Sequence, residues 1–251
     1  MLTDAKIRSW RATGLQDIDY HMRQFDAPYR STVHLARFMG LLLKSAAGEA
    51  LDVGCGAGAN IHYLSRELPG YRWTGVDIAG DALFSHGRER LASAGCEARL
   101  LTGDFYRLTE LLPARQFDLV LSLQTLQVIE CYEPALEQLL KMTRGWLFVT
   151  GLFCESQVDA LIQVKDYTWP DELKSAYFYN IYSLPRFQSF CEARGAREVL
   201  TQDFQMDVDL PKPAAGGLGT YTELLADGRR LQFTGPIFQP WKFIAVRMGD
   251  A

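Results

Sequence analysis

The stretch that most constrains the fold runs from Glu49 to Asn60, Glu-Ala-Leu-Asp-Val-Gly-Cys-Gly-Ala-Gly-Ala-Asn. A short apolar run leads into a glycine-rich turn and then a helix start, the order of a β-strand feeding a nucleotide-binding loop. Gly54, Gly56 and Gly58 stand where a Cβ would block a tight turn or hold the backbone off a ligand. The unpaired N–H groups of the following helix would face that ligand.

Gly54, Gly56 and Ala59 also satisfy a looser dinucleotide fingerprint, so the glycines alone leave an NAD(P)-dependent Rossmann oxidoreductase open. Asp52 narrows the choice. A pyrophosphate has little use for a carboxylate beside the turn, whereas a ligand carrying an ammonium group would welcome one. The run Leu51-Asp52-Val53-Gly54-Cys55-Gly56-Ala57-Gly58 resembles the first motif of the class I S-adenosylmethionine (SAM) dependent methyltransferases. The resemblance implies SAM as cofactor, held at Asp52, Gly54, Cys55 and Gly56.

Further along, Tyr71 to Ile78 reads as a second strand ending in Asp77, 23 residues after Gly54. That is about where a doubly wound fold presents a carboxylate to ribose hydroxyls, with Ile78 beside it. Strand three is expected over Ala98 to Thr102. Gly103-Asp104-Phe105 follows, and it resembles the family position where an acid accepts from the adenine amino group and an apolar side chain covers the ring. Phe117 to Ser122 is nearly continuously apolar, as a strand buried on both faces should be. In the family, the next run, Leu123 to Ile129, lies under the methionine part of the cofactor, which adds Ser122, Leu123 and Gln127 to the implied contacts. Many relatives carry a histidine near Gln127; this chain does not.

Helices are expected from Thr32 to about Lys44 with Ser31 as cap, after the glycine turn to Leu68, over Gly80 to Ala94, and from Glu133-Pro134 to Arg144. Gly145 to Thr150 is the fifth strand. Ser183-Leu184-Pro185 starts a further helix, Glu198 to Leu210 a sixth strand, and Trp241 to Met248 the last. Asp227-Gly228, flanked by Thr220 to Leu225 and Arg229 to Thr234, is a strong hairpin signal. The fold class is therefore α/β: a doubly wound, mostly parallel seven-stranded sheet with an antiparallel last strand. The chain divides into a helical cover at 1–46, a SAM-binding core at 47–150, an aromatic lid at 151–182 and a C-terminal part at 183–251 with a hairpin arm inserted at 220–234. Phe153, Tyr167, Trp169, Tyr177, Phe178, Tyr179 and Tyr182 mark the lid.

A methyl on a sulfonium is already electrophilic, so aligning and desolvating two partners suffices, and no nucleophile triad is needed. A hydroxyl acceptor benefits from a base, and His21 in the cover is the candidate. Tyr20, Tyr29 and Arg30 are placed to meet the cofactor carboxylate, Arg30 through two parallel bonds. The predicted activity is methyl transfer to an oxygen or nitrogen of a small molecule, with a sugar or natural-product intermediate as acceptor. A SAM-binding protein without catalysis is the other alternative.

Composition adds exclusions. A net charge of -4 without a lysine or arginine run offers no footprint for nucleic acid. Five cysteines with no Cys-x-x-Cys pair argue for free thiols, no metal site and a reducing, cytoplasmic setting. No apolar stretch approaches a membrane span. The hairpin arm is a candidate homodimer surface.

Overall fold

The computed structural model describes residues 18–43, 47–78, 80–168, 172–213 and 219–249. The parts of the expected cover before residue 18, and Trp169, lie outside the described residues.

Two helices come first, α1 (Ile18–Asp26) and α2 (Arg30–Leu42). Strand and helix then alternate: β1 (Gly48–Val53), α3 (Ala59–Glu67), β2 (Tyr71–Asp77), α4 (Asp81–Ser93), β3 (Ala98–Thr102), the short α5 (Leu108–Leu111), β4 (Phe117–Leu123), α6 (Glu133–Met142) and β5 (Thr143–Cys154). After β5 come a two-stranded hairpin of β6 (Gln163–Thr168) and β7 (Glu172–Phe178), then β8 (Tyr182–Ser183), α7 (Leu184–Glu192) and β9 (Ala196–Asp203). The chain ends with β10 (Thr220–Leu224), β11 (Arg230–Thr234), β12 (Ile237–Phe238) and β13 (Trp241–Met248).

The central sheet has the order β3-β2-β1-β4-β5-β13-β9, with the two-residue β8 paired to the end of β5. The first five strands run parallel; β13 is antiparallel to both β5 and β9. The seven expected strands are thus all present, with the antiparallel one last in the chain. Strand order reverses between β1 and β4, and the crevice that opens there is where such sheets bind ligands.

Both faces of the sheet are covered, which is why β4 is buried along almost its whole length. Phe25, Leu35, Met39, Ile61, Leu64 and Phe84 of α1 to α4 pack on one face with Phe148 and Phe243. Leu136, Leu139 and Phe187 of α6 and α7 pack on the other with Tyr132 and Ile244. One packing contact matters for the site. A Cβ on Gly87, in α4, would lie 2.1 Å from the Ala57 carbonyl oxygen, so that helix rests directly on the back of the glycine turn.

Several boundaries differ from expectation. The cap of α2 is Tyr29, and Ser31 lies within the helix, where its hydroxyl accepts from Gln124 Nε2 at 2.8 Å. β5 runs on to Cys154, because Phe153 and Cys154 find partners in β8. β9 stops at Asp203, short of Leu210, since its partner β13 pairs no earlier than Lys242, which stands opposite Asp203. The arm forms as expected, with Gly228 at φ 85° in its turn, and β12 adds a third strand.

Candidate functional site

The carboxyl ends of β1, β2 and β4 meet the cover helix α1 and the start of α2 around one cleft. Its floor is the glycine turn. The Gly54 and Cys55 N–H groups donate to the Val76 carbonyl at 2.8 and 3.3 Å, which folds the turn over the end of β2. Gly54, Gly56 and Gly58 have φ of 83°, 54° and 91°, values that L side chains resist. Space is equally restrictive: a Cβ at Gly54 would stand 2.3 Å from Thr125 Oγ1, and one at Gly56 2.9 Å from His21 Nδ1. Gly58 then opens α3.

Two acids belong to the floor in different ways. Asp77, at the end of β2, lines the cleft, and its Oδ2 accepts from the Gly56 N–H at 2.8 Å. Asp52 is 0% exposed within β1, beneath the turn, and neither carboxylate oxygen has a hydrogen-bond partner. Burial, with the Asp77 charge second, pushes its pKa up to about 7. The expected carboxylate beside the turn is therefore present, but it sits under the floor, and Asp77 is the acid on the surface of the cleft. The Cys55 thiol is also buried, which pushes its pKa well up and keeps it un-ionised.

One wall is the turn after β4: Leu123, Gln124, Thr125 and Val128. Gln124 has φ 55° and is held there by its N–H, which donates to the Thr150 carbonyl and hydroxyl at 3.1 and 2.9 Å. The other wall is the cover, with Tyr20, His21, Gln24 and Tyr29. The Tyr20 and Tyr29 hydroxyls share a short hydrogen bond, and burial raises the Tyr29 pKa above the ordinary tyrosine value. His21 packs edge-on to Tyr20, with ring centroids 5.3 Å apart.

The structure thus brings Gly54, Cys55, Gly56, Asp77, Leu123, Tyr20, Tyr29 and His21 to one cleft. Others go elsewhere. Arg30 is taken by Asp207, with Nε 2.9 Å from Oδ1 and a second, shorter bond from Nη2, and His34 joins the same carboxylate at 3.1 Å. It is not free to grip a carboxylate in the cleft. Ser122 is fully buried with its hydroxyl unpartnered. Gln127 is also buried, with Nε2 donating to the Gln124 carbonyl at 2.7 Å and Oε1 unpartnered. Asp104 accepts from the Tyr106 N–H at 2.9 Å and caps a short turn, while Phe105 packs on Tyr106 at 4.5 Å; Ile78 is partly buried next to Asp77.

Gln24 and Asn60 were not singled out from the sequence, whereas Gln124, Thr125 and Val128 fall in the expected Leu123 to Ile129 run without having been named individually as contacts. Asn60 had a readable signal, since a polar residue in the first turn of the helix after a glycine loop projects back toward it. It accepts from Thr32 Oγ1 at 2.9 Å. Among the described residues no cluster of side chains is arranged to hold a metal ion, and no helix is long and apolar enough to cross a membrane.

Sheet order, glycine turn and strand-end acids together define a Rossmann-like α/β domain with a nucleoside-cofactor site at its switch point. Comparison with known proteins makes the class specific. Residues 50–147 match the family model described as a methyltransferase domain. Over 100 residues, 38% of the chain, it is 35% identical to the release factor glutamine methyltransferase of Koribacter versatilis (strain Ellin345), of whose length it covers 33%. A solved structure similar across the whole fold is the 1,6-didemethyltoxoflavin-N1-methyltransferase of Burkholderia thailandensis with bound 1,6-didemethyltoxoflavin and S-adenosylhomocysteine, at TM-score 0.62 and 16% identity, covering 98% of this chain and 89% of that one. The magnesium protoporphyrin IX methyltransferase of Synechocystis PCC 6803 with bound SAM aligns at TM-score 0.59 and 12% identity, over 99% of each chain. The N-terminal domain of EvdMO1, solved in the presence of S-adenosylhomocysteine and D-fucose, aligns at 0.57 and 13%, over 89% and 85%. Residues 50–147 thus match a methyltransferase domain, and the fold is the Rossmann-like one shared with solved SAM-dependent methyltransferases.

Proposed function

We propose that the chain transfers a methyl group from S-adenosylmethionine to an oxygen or nitrogen of a small molecule, with a sugar or a natural-product intermediate as acceptor class. The observation that carries this reading is the unpartnered, fully buried Asp52 carboxylate beneath a floor of side-chain-free backbone. A positively charged ligand above that floor compensates a charge the fold otherwise leaves unbalanced. Bound there, the cofactor supplies a methyl group on a sulfonium, an electrophile that needs no further activation.

The residues of the chain do the rest. The glycine turn lets backbone approach the nucleoside, and Asp77 offers its remaining acceptor capacity to ribose hydroxyls, with Ile78 beside it. Asp104 and Phe105 take the adenine, Leu123 covers the methionine portion with the buried Ser122 and Gln127 supporting that wall from behind, and Tyr20 and Tyr29 take the carboxylate without help from Arg30. The cover and the β6–β7 insertion close over the cleft and exclude water. His21, against Gly56, is the candidate base. Two fold neighbours were solved with small molecules, one with 1,6-didemethyltoxoflavin bound and one in the presence of D-fucose, which supports a small-molecule acceptor. All five cysteines are free, which supports a reducing compartment. Leu224, 61% exposed on β10, supports the arm as a self-association surface.

Titration calorimetry with S-adenosylhomocysteine and with NAD tests the reading. The first is expected to bind and Asp77→Ala to weaken it by roughly 1.5 to 3 kcal/mol, the range for hydrogen bonds to a charged group. A preference for NAD would end it. Radiolabelled SAM incubated with a panel of phenols, sugars and amines then separates an enzyme from a mere binder, since a binder labels none of them.

A further inference from the structure

This inference rests on the cofactor reading of the cleft and concerns two of its lining residues, Asn60 and Gln124. Gln124 has φ 55°, a left-handed conformation that glycine takes more readily than any residue with a side chain. A side chain kept where glycine fits better implies a use for it. The backbone of Gln124 is already engaged: its N–H donates to the Thr150 carbonyl and hydroxyl, and its carbonyl accepts from Gln127 Nε2 at 2.7 Å. What is left is the side-chain amide.

Two adjacent hydroxyls at the start of α2 hold the amides of Gln124 and Asn60. Ser31 Oγ accepts from Gln124 Nε2 at 2.8 Å, and Thr32 Oγ1 donates to Asn60 Oδ1 at 2.9 Å. Both hydroxyl residues are buried. Each takes one atom of its amide. The other atom, Gln124 Oε1 or Asn60 Nδ2, has no hydrogen-bond partner among the described residues, and neither is sealed inside the protein. Because both residues line the cleft, an acceptor from the turn after β4 and a donor from the first turn of α3 stand open to it.

The sheet order β3-β2-β1-β4 decides which part of the ligand they meet. Asp104 and Phe105, proposed for the adenine, follow β3 at one end, and Asp77, proposed for the ribose, ends β2. Gln124 follows β4 at the other end, and Asn60 lies just past the glycine turn from β1. A nucleoside laid from β3 towards β4 brings its amino-acid tail to these two amides. That tail is a zwitterion, with an ammonium that needs an acceptor and a carboxylate that needs a donor. Arg30 is held by Asp207, so its guanidinium does not serve the carboxylate.

We propose that Asn60 and Gln124 grip the amino-acid tail of the cofactor as a pair of neutral amides, with Thr32 and Ser31 as the positioning residues that hold them. Asn60 Nδ2 donates to the carboxylate, beside the Tyr20 and Tyr29 hydroxyls, and Gln124 Oε1 accepts from the ammonium.

The test uses the full chain and titration calorimetry with two probes: S-adenosylhomocysteine, and 5′-methylthioadenosine, which keeps the nucleoside and thioether but lacks the amino-acid tail. Wild type is expected to bind the second more weakly. Asn60→Ala and Gln124→Gly are each expected to weaken S-adenosylhomocysteine about tenfold, the loss of one hydrogen bond, and to leave 5′-methylthioadenosine unchanged. Glycine suits the backbone at 124, so a loss there is not the work of a strained turn. Asn60→Asp keeps the size and the Thr32 bond but sets a carboxylate against the ligand's carboxylate; it is expected to bind S-adenosylhomocysteine more weakly than Asn60→Ala. Thr32→Val is expected to weaken S-adenosylhomocysteine in the wild-type background and not in Asn60→Ala, because Thr32 acts through Asn60. Equal wild-type affinity for the two probes, variants that hold S-adenosylhomocysteine as tightly as wild type, or losses of equal size for both probes overturn the inference. Tighter binding by Asn60→Asp than by Asn60→Ala does the same. Should Gln124→Gly fail to fold, the two Asn60 variants decide alone. Failure of the wild type to bind either probe overturns the cofactor reading instead.

Discussion

Asp52 links the chemistry of the cleft to the stability of the fold. Its pKa is raised from the ordinary carboxylate value to about 7, so the folded chain holds a proton there that the unfolded chain has already released. A group of that kind favours folding below the ordinary carboxylate range, and the benefit is lost as pH rises through about 7. Asp52→Asn without ligand is therefore expected to melt above wild type at about pH 8 and level with it at about pH 4, as read by scanning calorimetry. SAM affinity is expected to rise with pH through the same window in wild type and to stay flat in the variant; a variant that binds as tightly as wild type at about pH 8 would remove Asp52 from the site. The sequence showed that an acid stands here, but not its depth. In a parallel strand covered on both faces, alternation does not tell a lining residue from an enclosed one. Arg30 was misread for a related reason: its partner, Asp207, is 177 residues away, and such pairings leave no local trace.

At the level of elements, strands one to five and the Asp-Gly arm were legible because apolar runs and turn chemistry are local signals. The β6–β7 hairpin was not, since its aromatic residues suit a packed lid of any secondary structure and show no clean alternation. What anchors that insertion is Asn180, fully buried. Its Oδ1 accepts from the Ile162 N–H at 2.9 Å, and its Nδ2 donates to the Ile129 carbonyl at 2.7 Å and to the Tyr182 hydroxyl at 3.0 Å. Asn180→Ala strands buried partners on both sides and is expected to cost about 2–4 kcal/mol in urea unfolding. Hydrogen exchange should locate the damage, with the Ile162 amide opening faster while β1 and β4 keep their protection. Uniform loss across the sheet would show that Asn180 does not act through the insertion.

For the whole molecule, a ligand bound only by the folded chain adds about 2.7 kcal/mol of stability at a hundred times its dissociation constant. In a chain of this size that raises the melting temperature by roughly 5–10 °C. S-adenosylhomocysteine is expected to produce such a shift and NAD none, in a thermal scan of the intact protein; equal shifts would return the dinucleotide reading. Gly87 extends this coupling in the other direction. The helix that carries it touches the glycine turn from behind, backbone to backbone, so even a single methyl at position 87 must lever the helix away or push the Ala57 carbonyl forward. A survey that ranks positions by nearness to ligand would score residue 87 as inert. Inherited or engineered changes there will instead read out as lost grip on the nucleoside, with every ligand-facing side chain intact.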